Sequence, residues 1–355
     1  MKRPELIFAF LFIFSSVIFA QEIIENPEKP LNKNAGRILK LEEVFRITDE
    51  SGDFYFRYPG DLKVAPDGTI FIADGEQFLK FSSDGKFIDN LFRKGEGPGE
   101  IREYFGYAFD KKGIFIYDFT ARKIIHSDIE GNLIDEFRFK PESYNDFFGI
   151  MDEWFIFMKS VWPPIEERKY GLGDIKNTIF LISKDGKIKK EIYTFPKKAF
   201  FAPRAFTSWA SFHSVLSDDN KKLFFSHTRE YLIKLLDLDK GKILRNFKRK
   251  YPRMKLKAKN GWEEEFHKKY NVPKIKYESD IQDLFITKGL LWVITSTKNK
   301  TKGILIDVFN KEGKYVDNFY INLEGSLMAT DGDYIFVKEA DEDENFQIVK
   351  YKVIE

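Results

Sequence analysis

The sequence of 355 residues contains no cysteine and only four histidines. The lack of cysteine excludes disulfide bonds, thiolate metal sites and lipid attachment through an N-terminal cysteine. With so few histidines and no G-x-S-x-G turn after a strand, the sequence argues against a charge-relay hydrolase. His126 and His227 fall inside predicted strands, where we expect packing or surface roles. No phosphate loop, H-E-x-x-H motif or dinucleotide fingerprint is present, so the motifs indicate no reaction.

An excess of charge of one sign is also missing. The 58 Lys and Arg residues stand against 56 Asp and Glu residues, a net charge of +2. We therefore do not expect nucleic acid as a partner. In contrast, hydrophobic residues make up 43% of the chain and phenylalanine alone supplies 38 residues. These flat, bulky side chains are typical of cores between packed sheet faces.

Long apolar runs are absent after the first twenty residues. Residues 1–20 have the pattern of a signal peptide: Lys2 and Arg3, an apolar run over 6–14, and a cleavage site after Ala20. The alternative is an uncleaved membrane anchor, for which the apolar run is short. We expect a protein of the periplasm or the extracellular space, with no stable membrane span after cleavage.

Short strand patterns separated by glycine turns organise the rest of the chain. The clearest unit occupies residues 67–100, with strand patterns at 69–72, 77–81 and 86–92. Asp-Gly pairs lie beside these strand patterns, and no segment between them has the periodicity of a helix. The unit predicts an antiparallel meander of short strands.

The same unit recurs, giving six in all, but the last stops before its fourth strand. An unpaired strand pattern at 37–47 precedes the first unit. We therefore predict an all-β fold over residues 36–355, a six-bladed β-propeller of four-stranded antiparallel blades. The N-terminal strand completes the last blade beside residues 346–353 and so closes the ring. Residues 21–35 are expected to form a flexible leader, and two packed sandwiches are the alternative fold.

Residues 61–100, with their Asp-Gly turns and the run RKGEGPGEI, resemble the bacterial six-bladed propellers related to NHL-repeat and TolB-like proteins. The resemblance implies the fold and leaves activity open, because such propellers include binding modules, lyases and lactonases. The glycine-rich run follows an outer strand and lacks a helix N-terminus, so we interpret it as a structural turn. Its residues are Gly95, Gly97, Pro98, Gly99 and Glu100.

Candidate site residues follow from the predicted ring, because the loop before each first strand surrounds one mouth of the channel. Aligning the six units places at this mouth Asp61, Tyr104, Asp146, His213, Asp280 and Ser326. Close in the same register are Tyr58, Phe105, Trp209 and Gln282. The three aspartates and the histidine raise the hypothesis of a Ca²⁺ site with oxygen ligands. The alternative is that each carboxylate caps a turn or stays solvated.

Two insertions interrupt the repeat. The first, residues 159–177, carries Trp162 and Tyr170, and apolar residues in a long loop indicate a channel cap or a contact with a partner. The second, residues 248–276, holds eleven Lys and Arg residues against three Glu, with a short helix predicted from Asn260 to about 270. It is either a basic patch for an acidic partner or polysaccharide, or a docked helix with solvated lysines.

These patterns predict a monomeric, exported propeller that acts as a ligand-binding or interaction module through the channel mouth and the two insertions. Its partner would be a protein, a peptide or a carbohydrate. The alternative is a metal-assisted lyase or lactonase whose site contains Asp61, Asp146, His213 and Asp280. A scaffold within an envelope complex is a third class that the sequence does not separate from the first.

Overall fold

The structure is a computed structural model, which describes residues 23–49, 52–103, 105–139, 144–202, 205–256, 265 and 268–354. The predicted signal peptide and Tyr104 therefore lie outside the described residues. Within the described part of the chain, no helix has the length and apolar character needed to cross a bilayer.

The described chain begins with two strands that belong to no blade of their own, β1 (Ile23–Asn26) and β2 (Arg37–Ile47). Blade 1 follows, with β3 (Leu62–Val64), β4 (Ile70–Ala73), β5 (Phe78–Phe81) and β6 (Phe87–Asn90). Blade 2 contains β7 (Phe105–Asp110), β8 (Gly113–Asp118), β9 (Lys123–Ser127) and β10 (Leu133–Arg138). Each blade is an antiparallel sheet in which neighbours in sequence are neighbours in space.

Blade 3 is the largest, with β11 (Asp146–Met151), β12 (Trp154–Val161), β13 (Gly171–Ser183), β14 (Lys189–Ala202) and β15 (Ala205–Ser208). A 3-10 helix, Ile165–Glu167, connects β12 to β13. Blade 4 contains β16 (His213–Leu216), β17 (Lys222–Ser226), β18 (Ile233–Asp237) and β19 (Lys242–Arg249). Gly186 and Gly241 lie in the turns before β14 and β19, where the sequence predicted turns.

Blade 5 contains β20 (Ile281–Thr287), β21 (Leu290–Asn299), β22 (Gly303–Phe309) and β23 (Tyr315–Ile321). Blade 6 contains β24 (Ser326–Asp331), β25 (Tyr334–Ala340) and β26 (Phe346–Ile354). Its fourth strand is β2, which pairs antiparallel with β26 from Lys40 to Ile47. The predicted six-bladed propeller and its closure by the N-terminal strand are confirmed.

The N-terminal segment does more than close the ring. The first residues of β2, Arg37 to Leu39, pair in parallel with β23 of blade 5 before the strand crosses to blade 6. Further back, β1 pairs in parallel with β19 of blade 4. The prediction of a flexible leader over 21–35 is therefore wrong for residues 23–26, because main-chain hydrogen bonds to β19 fix them in place.

The structure also corrects the prediction of a long loop at residues 159–177. Residues 159–161 continue β12, and residues 171–177 begin β13, which pairs with β14 along almost its whole length. Ile175 on this extension is buried against Phe201, with Trp162 packed beside them. The segment is thus a tall hairpin with its own small core, rather than a long loop. In the second insertion, residues 265, 268 and 269 are helical, while Asn260 lies outside the described part.

Aromatic side chains form the core between adjacent blades. Phe71, Phe78 and Tyr107 are fully buried between blades 1 and 2. Burying a side chain of this size contributes about 1.5–3 kcal/mol. The turn at Gly85 adopts a φ of +83°, and an added Cβ there would lie 2.6 Å from the ring of Phe45 on β2. The closing strand therefore also packs against the first blade.

Candidate functional site

The first strand of each blade lines the channel, and these six strands begin at the same end of it, which we call the upper mouth. Around the ring the inner strands contact one another, and β24 of blade 6 contacts β3 of blade 1. Between blades 1 and 2, Lys63 donates to the carbonyl of Tyr107 at 2.6 Å. Because the strands are antiparallel, the loops that precede each blade and those between its second and third strands also lie at the upper mouth.

Asp61 stands at this mouth immediately before β3. Its carboxylate is 46% exposed and forms an ion pair with Lys63, with an Nζ to Oδ2 distance of 2.5 Å. The ammonium of Lys63 also lies 4.3 Å from the centre of the Tyr107 ring. Asp61 is therefore engaged locally, in keeping with the solvated alternative for this residue.

Asp146 begins β11 and faces Lys197 of β14 at the upper end of blade 3. Burial raises the pKa of Asp146, and the positive charge of Lys197 acts in the opposite direction. Burial likewise lowers the pKa of Lys197, against the attraction of Asp146. This carboxylate and ammonium are each shifted toward neutrality, which is a property of functional acid–base pairs and also of half-buried structural pairs.

Asp280 precedes β20 and is buried, with only 2% of its surface exposed. One oxygen accepts from Nε of Arg253 at 2.9 Å, and the other accepts from the backbone N–H of Tyr231 at 3.0 Å. Burial raises the pKa of Asp280, while these hydrogen bonds and the Arg253 charge lower it. Asp280 thus anchors two loops of the mouth and faces inward.

The remaining candidates are spread around the ring. His213 begins β16, and its Nδ1 lies 3.7 Å from Oδ1 of Asp283 on the next blade. Tyr58 is 71% exposed and sits edge-on to Phe346. The others are Phe105 and Ser326, which begin β7 and β24, and Gln282, whose side chain donates to the carbonyl of Ser279.

The predicted metal ligands do not converge in the described residues. Asp61, Asp146 and Asp280 each have a different cationic neighbour, Lys63, Lys197 and Arg253. Over the described ranges, no three Asp, Glu or His side chains form a group able to hold a metal ion. The Ca²⁺ site stays a prediction.

Trp209 belongs to a pocket that the sequence indicated only in part. The pocket has a volume of about 280 Å³ and lies at the upper mouth between blades 4 and 5. Its lining is Trp209, Arg229, Glu230, Arg253, Lys274, Ile275, Lys276 and Tyr277. The basic composition of residues 248–276 indicated this surface. No sequence pattern indicated Arg229 as a site residue, because it lies in a short turn between β17 and β18.

Two buried aspartates that sequence reasoning missed hold the loops of the mouth. Asp74 follows β4 and accepts from the backbone N–H groups of Arg57 and Tyr58 at 2.8 and 2.5 Å. Asp118 ends β8 and accepts from the backbone N–H of Arg102 at 2.7 Å. A sequence feature that could have indicated them is an aspartate at the end of the second strand in each of the first two repeat units.

The glycine-rich run forms a loop that is bound to blade 2. Its Glu100 accepts from the N–H of Gly97 at 2.8 Å, and Glu136 accepts from the N–H of Gly99 at 2.9 Å. Lys123, which is fully buried, donates to the carbonyl of Gly97 at 2.8 Å and to Glu136 at 2.9 Å. These bonds within the protein support its interpretation as a structural turn.

Solved structures similar to this chain share its fold. An exported protein of Bacteroides fragilis, so named provisionally, has a TM-score of 0.57 and 12% identity, covering 94% of this chain and 100% of its own. A DUF4221-family member from Bacteroides vulgatus has a TM-score of 0.57 and 12% identity, covering 89% and 99%. A gluconolactonase of Xanthomonas campestris, at a TM-score of 0.48 and 13% identity, covers 92% and 97%.

At these identities the likeness shows the fold alone. No curated protein matches the sequence. The sequence pattern of one family, described as 6-bladed beta-propeller, matches residues 47–319, from the end of the closing strand to the last strand of blade 5. The chain therefore belongs to this family, DUF5128.

Proposed function

We propose that the protein is an exported binding module that takes its ligand at the upper mouth, in the pocket between blades 4 and 5. The observation that carries the proposal is the composition of this pocket. Loops from three parts of the chain bring together two aromatic side chains and four cationic ones in one open cavity of about 280 Å³. Concave sites with aromatic walls and a few fixed polar groups are typical of ligand binding.

Export is supported by the signal-peptide pattern of residues 1–20 and by the name of the similar Bacteroides fragilis protein. We also propose that the chain is related to the NHL-repeat and TolB-like propellers, whose turn pattern residues 61–100 resemble. In that group a closed ring presents a variable mouth, so binding specificity resides in loops that the fold does not constrain.

Binding is favoured over catalysis by the state of the candidate carboxylates. Asp280 is committed to Arg253 and to a backbone N–H, and Asp61 is paired with Lys63. Neither carboxylate lines the pocket between blades 4 and 5, where acid–base chemistry on a bound ligand would require it. Trp209 and Tyr277, by contrast, stand at the pocket wall with part of their surface exposed.

The test is a comparison of binding with turnover. The mature protein is titrated by calorimetry with defined oligosaccharides, neutral cellohexaose and acidic hexagalacturonate, and each mixture is then analysed by mass spectrometry. We expect saturable 1:1 binding of at least one probe, recovery of that probe unchanged, and loss of binding in Trp209→Ala with Tyr277→Ala. Conversion of a probe, or no binding of either, contradicts the proposal.

A second candidate function, an enzyme of the lyase or lactonase type, is favoured by the Asp146–Lys197 pair. Both groups lie at the upper mouth with pKa values shifted toward their neutral forms. Metal analysis of the purified protein separates this candidate from the first. Stoichiometric metal that is lost in Asp61→Ala and Asp146→Ala favours the enzyme, and its absence in the native protein favours the binding module.

A further inference from the structure

We infer that the pocket between blades 4 and 5 is a site for an acidic saccharide, whose carboxylate binds between Arg229 and Arg253 while its ring packs against Trp209 or Tyr277. This inference rests on the proposed function, because it names the ligand class of the same pocket. It is carried by the charge, the fixed geometry and the aromatic walls of the site.

The pocket has a local excess of positive charge. Four of its lining side chains are cationic: Arg229, Arg253, Lys274 and Lys276. The one acidic lining residue, Glu230, is 81% exposed and lies 3.9 Å from Arg253. The whole chain carries a net charge of only +2, so this concentration of positive charge is a property of the site. A concave surface with charge of one sign attracts ligands of the opposite sign.

The two arginines are held in place before any ligand arrives. Arg253 is fixed by Asp280 and donates through Nη2 to the carbonyl of Arg229 at 3.0 Å. The guanidinium of Arg229 donates to the carbonyls of Trp209 and Tyr277 at 3.2 and 2.6 Å. Cations that are already ordered lose little side-chain entropy on binding, which favours recognition of a planar carboxylate.

Arg229 has no acidic partner of its own within ion-pair distance among the described residues; its hydrogen bonds go to neutral carbonyl groups. Burial and the nearby charge of Arg253 lower the pKa of Arg229, and they outweigh the opposing attraction of Glu278 and Asp280. An anion placed between the two guanidinium groups would offset this repulsion. The bonds that charged donors make to carboxylates are about twice as strong as neutral ones.

The walls of the pocket suit a ring with apolar faces. Trp209 packs against the buried pair Phe200 and Val272 and stays partly exposed. Tyr277 is 36% exposed, and the guanidinium of Arg253 lies 5.0 Å from the centre of its ring. Lys274 and Lys276 are exposed at the rim, where they would meet the neighbouring carboxylates of a polymer. An acidic polysaccharide has both features that this pocket would recognise. Its sugar rings have faces that can pack against the aromatic side chains, and its repeated carboxylates can pair with the cations.

The test uses the mature protein with hexagalacturonate and with cellohexaose, a neutral chain of the same length. We expect the acidic chain to bind, the neutral chain to bind at least about tenfold more weakly, and the affinity to fall as salt rises. Equal binding of both chains overturns the acidic-saccharide inference and leaves the proposed binding function standing. Failure of both to bind overturns the two together.

Variants locate the site. Lys274→Gln with Lys276→Gln removes two exposed charges and is expected to weaken hexagalacturonate binding about threefold to tenfold at an unchanged melting temperature. Lys86→Gln with Lys187→Gln is the matched control, since both lysines are similarly exposed and remote from the pocket. If the control weakens binding as much as the pocket variant, the chain binds by general charge and the inference is wrong.

Arg229→Gln tests the inner subsite, and its folding is checked by the urea transition. We expect a larger loss, about tenfold to 100-fold, because a desolvated charge-assisted contact disappears. Inorganic phosphate and sulfate are the competitors. If either displaces hexagalacturonate at an equal concentration, the site binds a free anion, and the saccharide part of the inference is overturned.

Discussion

The outer edges of the six blades are covered in two different ways. The N-terminal segment, residues 23–47, pairs with the outermost strands of blades 4 and 5 (β19 and β23) and with the third strand of blade 6 (β26). The outermost strands of blades 1 and 2 (β6 and β10) end their sheets in the described part of the chain. Blades 4 to 6 are therefore bound together by main-chain hydrogen bonds from a single segment, which we call the strap. Blades 1 to 3 form the half without it, and in blade 3 the edge strand is β15, which pairs with β14.

In blades 1 and 2, with which the strap does not pair, charged side chains lie on the outermost strands. Both β6 and β10 contain a bulge in their pairing with the preceding strand, as do β19 and β23 in the strapped half, and β10 carries Asp135 and Glu136. Bulges and charges are known means of preventing a free edge from pairing with another chain. Between blades 1 and 2, Lys123 and Glu136 hold the glycine-rich loop. The comparison teaches that blades 4 to 6 are joined by strand pairing in addition to side-chain contacts, whereas blades 1 and 2 depend on side-chain contacts alone.

Removal of the whole strap is expected to have the largest effect. A shortened protein beginning at residue 48 lacks β1 and β2, so blade 6 loses its fourth strand and the ring loses its closure. We expect no cooperative urea transition by circular dichroism. A protein beginning at residue 35 keeps β2 and serves as the control, which should unfold cooperatively. A cooperative transition in the shorter protein would show that closure is dispensable.

The next effect concerns a buried ion pair inside the strapped half. Arg249 on β19 is bound to the fully buried Asp307 of β22, with an Nε to Oδ2 distance of 2.7 Å. The hydroxyl groups of Tyr231 and Tyr315 also donate to this carboxylate at 2.7 Å. Arg249→Met leaves the carboxylate without its counter-charge, and we expect a loss of about 3–5 kcal/mol in the free energy of unfolding.

Lys86→Met is the control for Arg249→Met, because Lys86 forms an exposed pair with Asp84. It should leave the urea midpoint unchanged. If the two variants behave alike, the contact between blades 4 and 5 does not depend on the buried pair.

The half without the strap has its own, smaller dependence on an ion pair. In Lys123→Met, Glu136 loses its nearer counter-charge and keeps only Arg138 at 3.9 Å, and the carbonyl of Gly97 loses a donor. We expect a loss of about 2–3 kcal/mol in urea unfolding, less than for Arg249 because Glu136 is partly exposed. A loss equal to or larger than that of Arg249→Met would reverse the comparison between the two halves.

A single side chain of the strap should have a smaller effect. Asn26 donates to the carbonyls of Lys248 and Gly313 at 3.1 and 2.9 Å and accepts from the N–H of Tyr315 at 2.9 Å. It thereby joins blades 4 and 5. We expect Asn26→Ala to cost about 1–2 kcal/mol in urea unfolding, and the exposed neighbour Glu25→Ala to change nothing measurable. Equal effects would mean that the side-chain bonds of the strap contribute nothing.

The smallest expected effect at neutral pH concerns His227, which follows β17 beside Phe195. Burial, with Lys234 and Lys197 nearby, lowers the pKa of His227 to about 4 from an ordinary value of 6.5. The unfolded chain therefore takes up the proton first, and stability present above pH 6.5 is lost as the pH falls toward 4. His227→Phe should reduce the slope of unfolding free energy against pH over this range. An unchanged slope would contradict this assignment.

The closure was predictable from sequence because glycine turns separate the strands, and the sixth unit lacks a strand that residues 37–47 supply. The first strand of the strap, β1, was not predictable from sequence. It has only four residues and pairs in parallel with a strand more than 200 positions away, so it has no recognisable local periodicity. The tall hairpin was missed because its two prolines, at residues 163–164, and its two glycines, at 171 and 173, are typical of loops.

The candidate site was less predictable than the fold. Asp280 was predicted to bind a ligand at the mouth, yet its carboxylate is buried on Arg253 and the backbone N–H of Tyr231. Both partners come from other loops, so no local pattern indicated them. Trp209 does lie in the pocket, and the basic segment after β19 supplies much of its wall. The contribution of Arg229 depends on loops from separate parts of the chain meeting in space, which no single stretch encodes.

The pairing of β2 with β26 has a kinetic consequence. The two partners, Lys40–Ile47 and Ile348–Ile354, are separated by almost the whole chain, so synthesis makes one of them early and the other late. Contacts between residues so distant in sequence form slowly, because a very large loop must close first. A polypeptide carried across a membrane from its N-terminus would remain an open, protease-accessible arc until its final strand emerged.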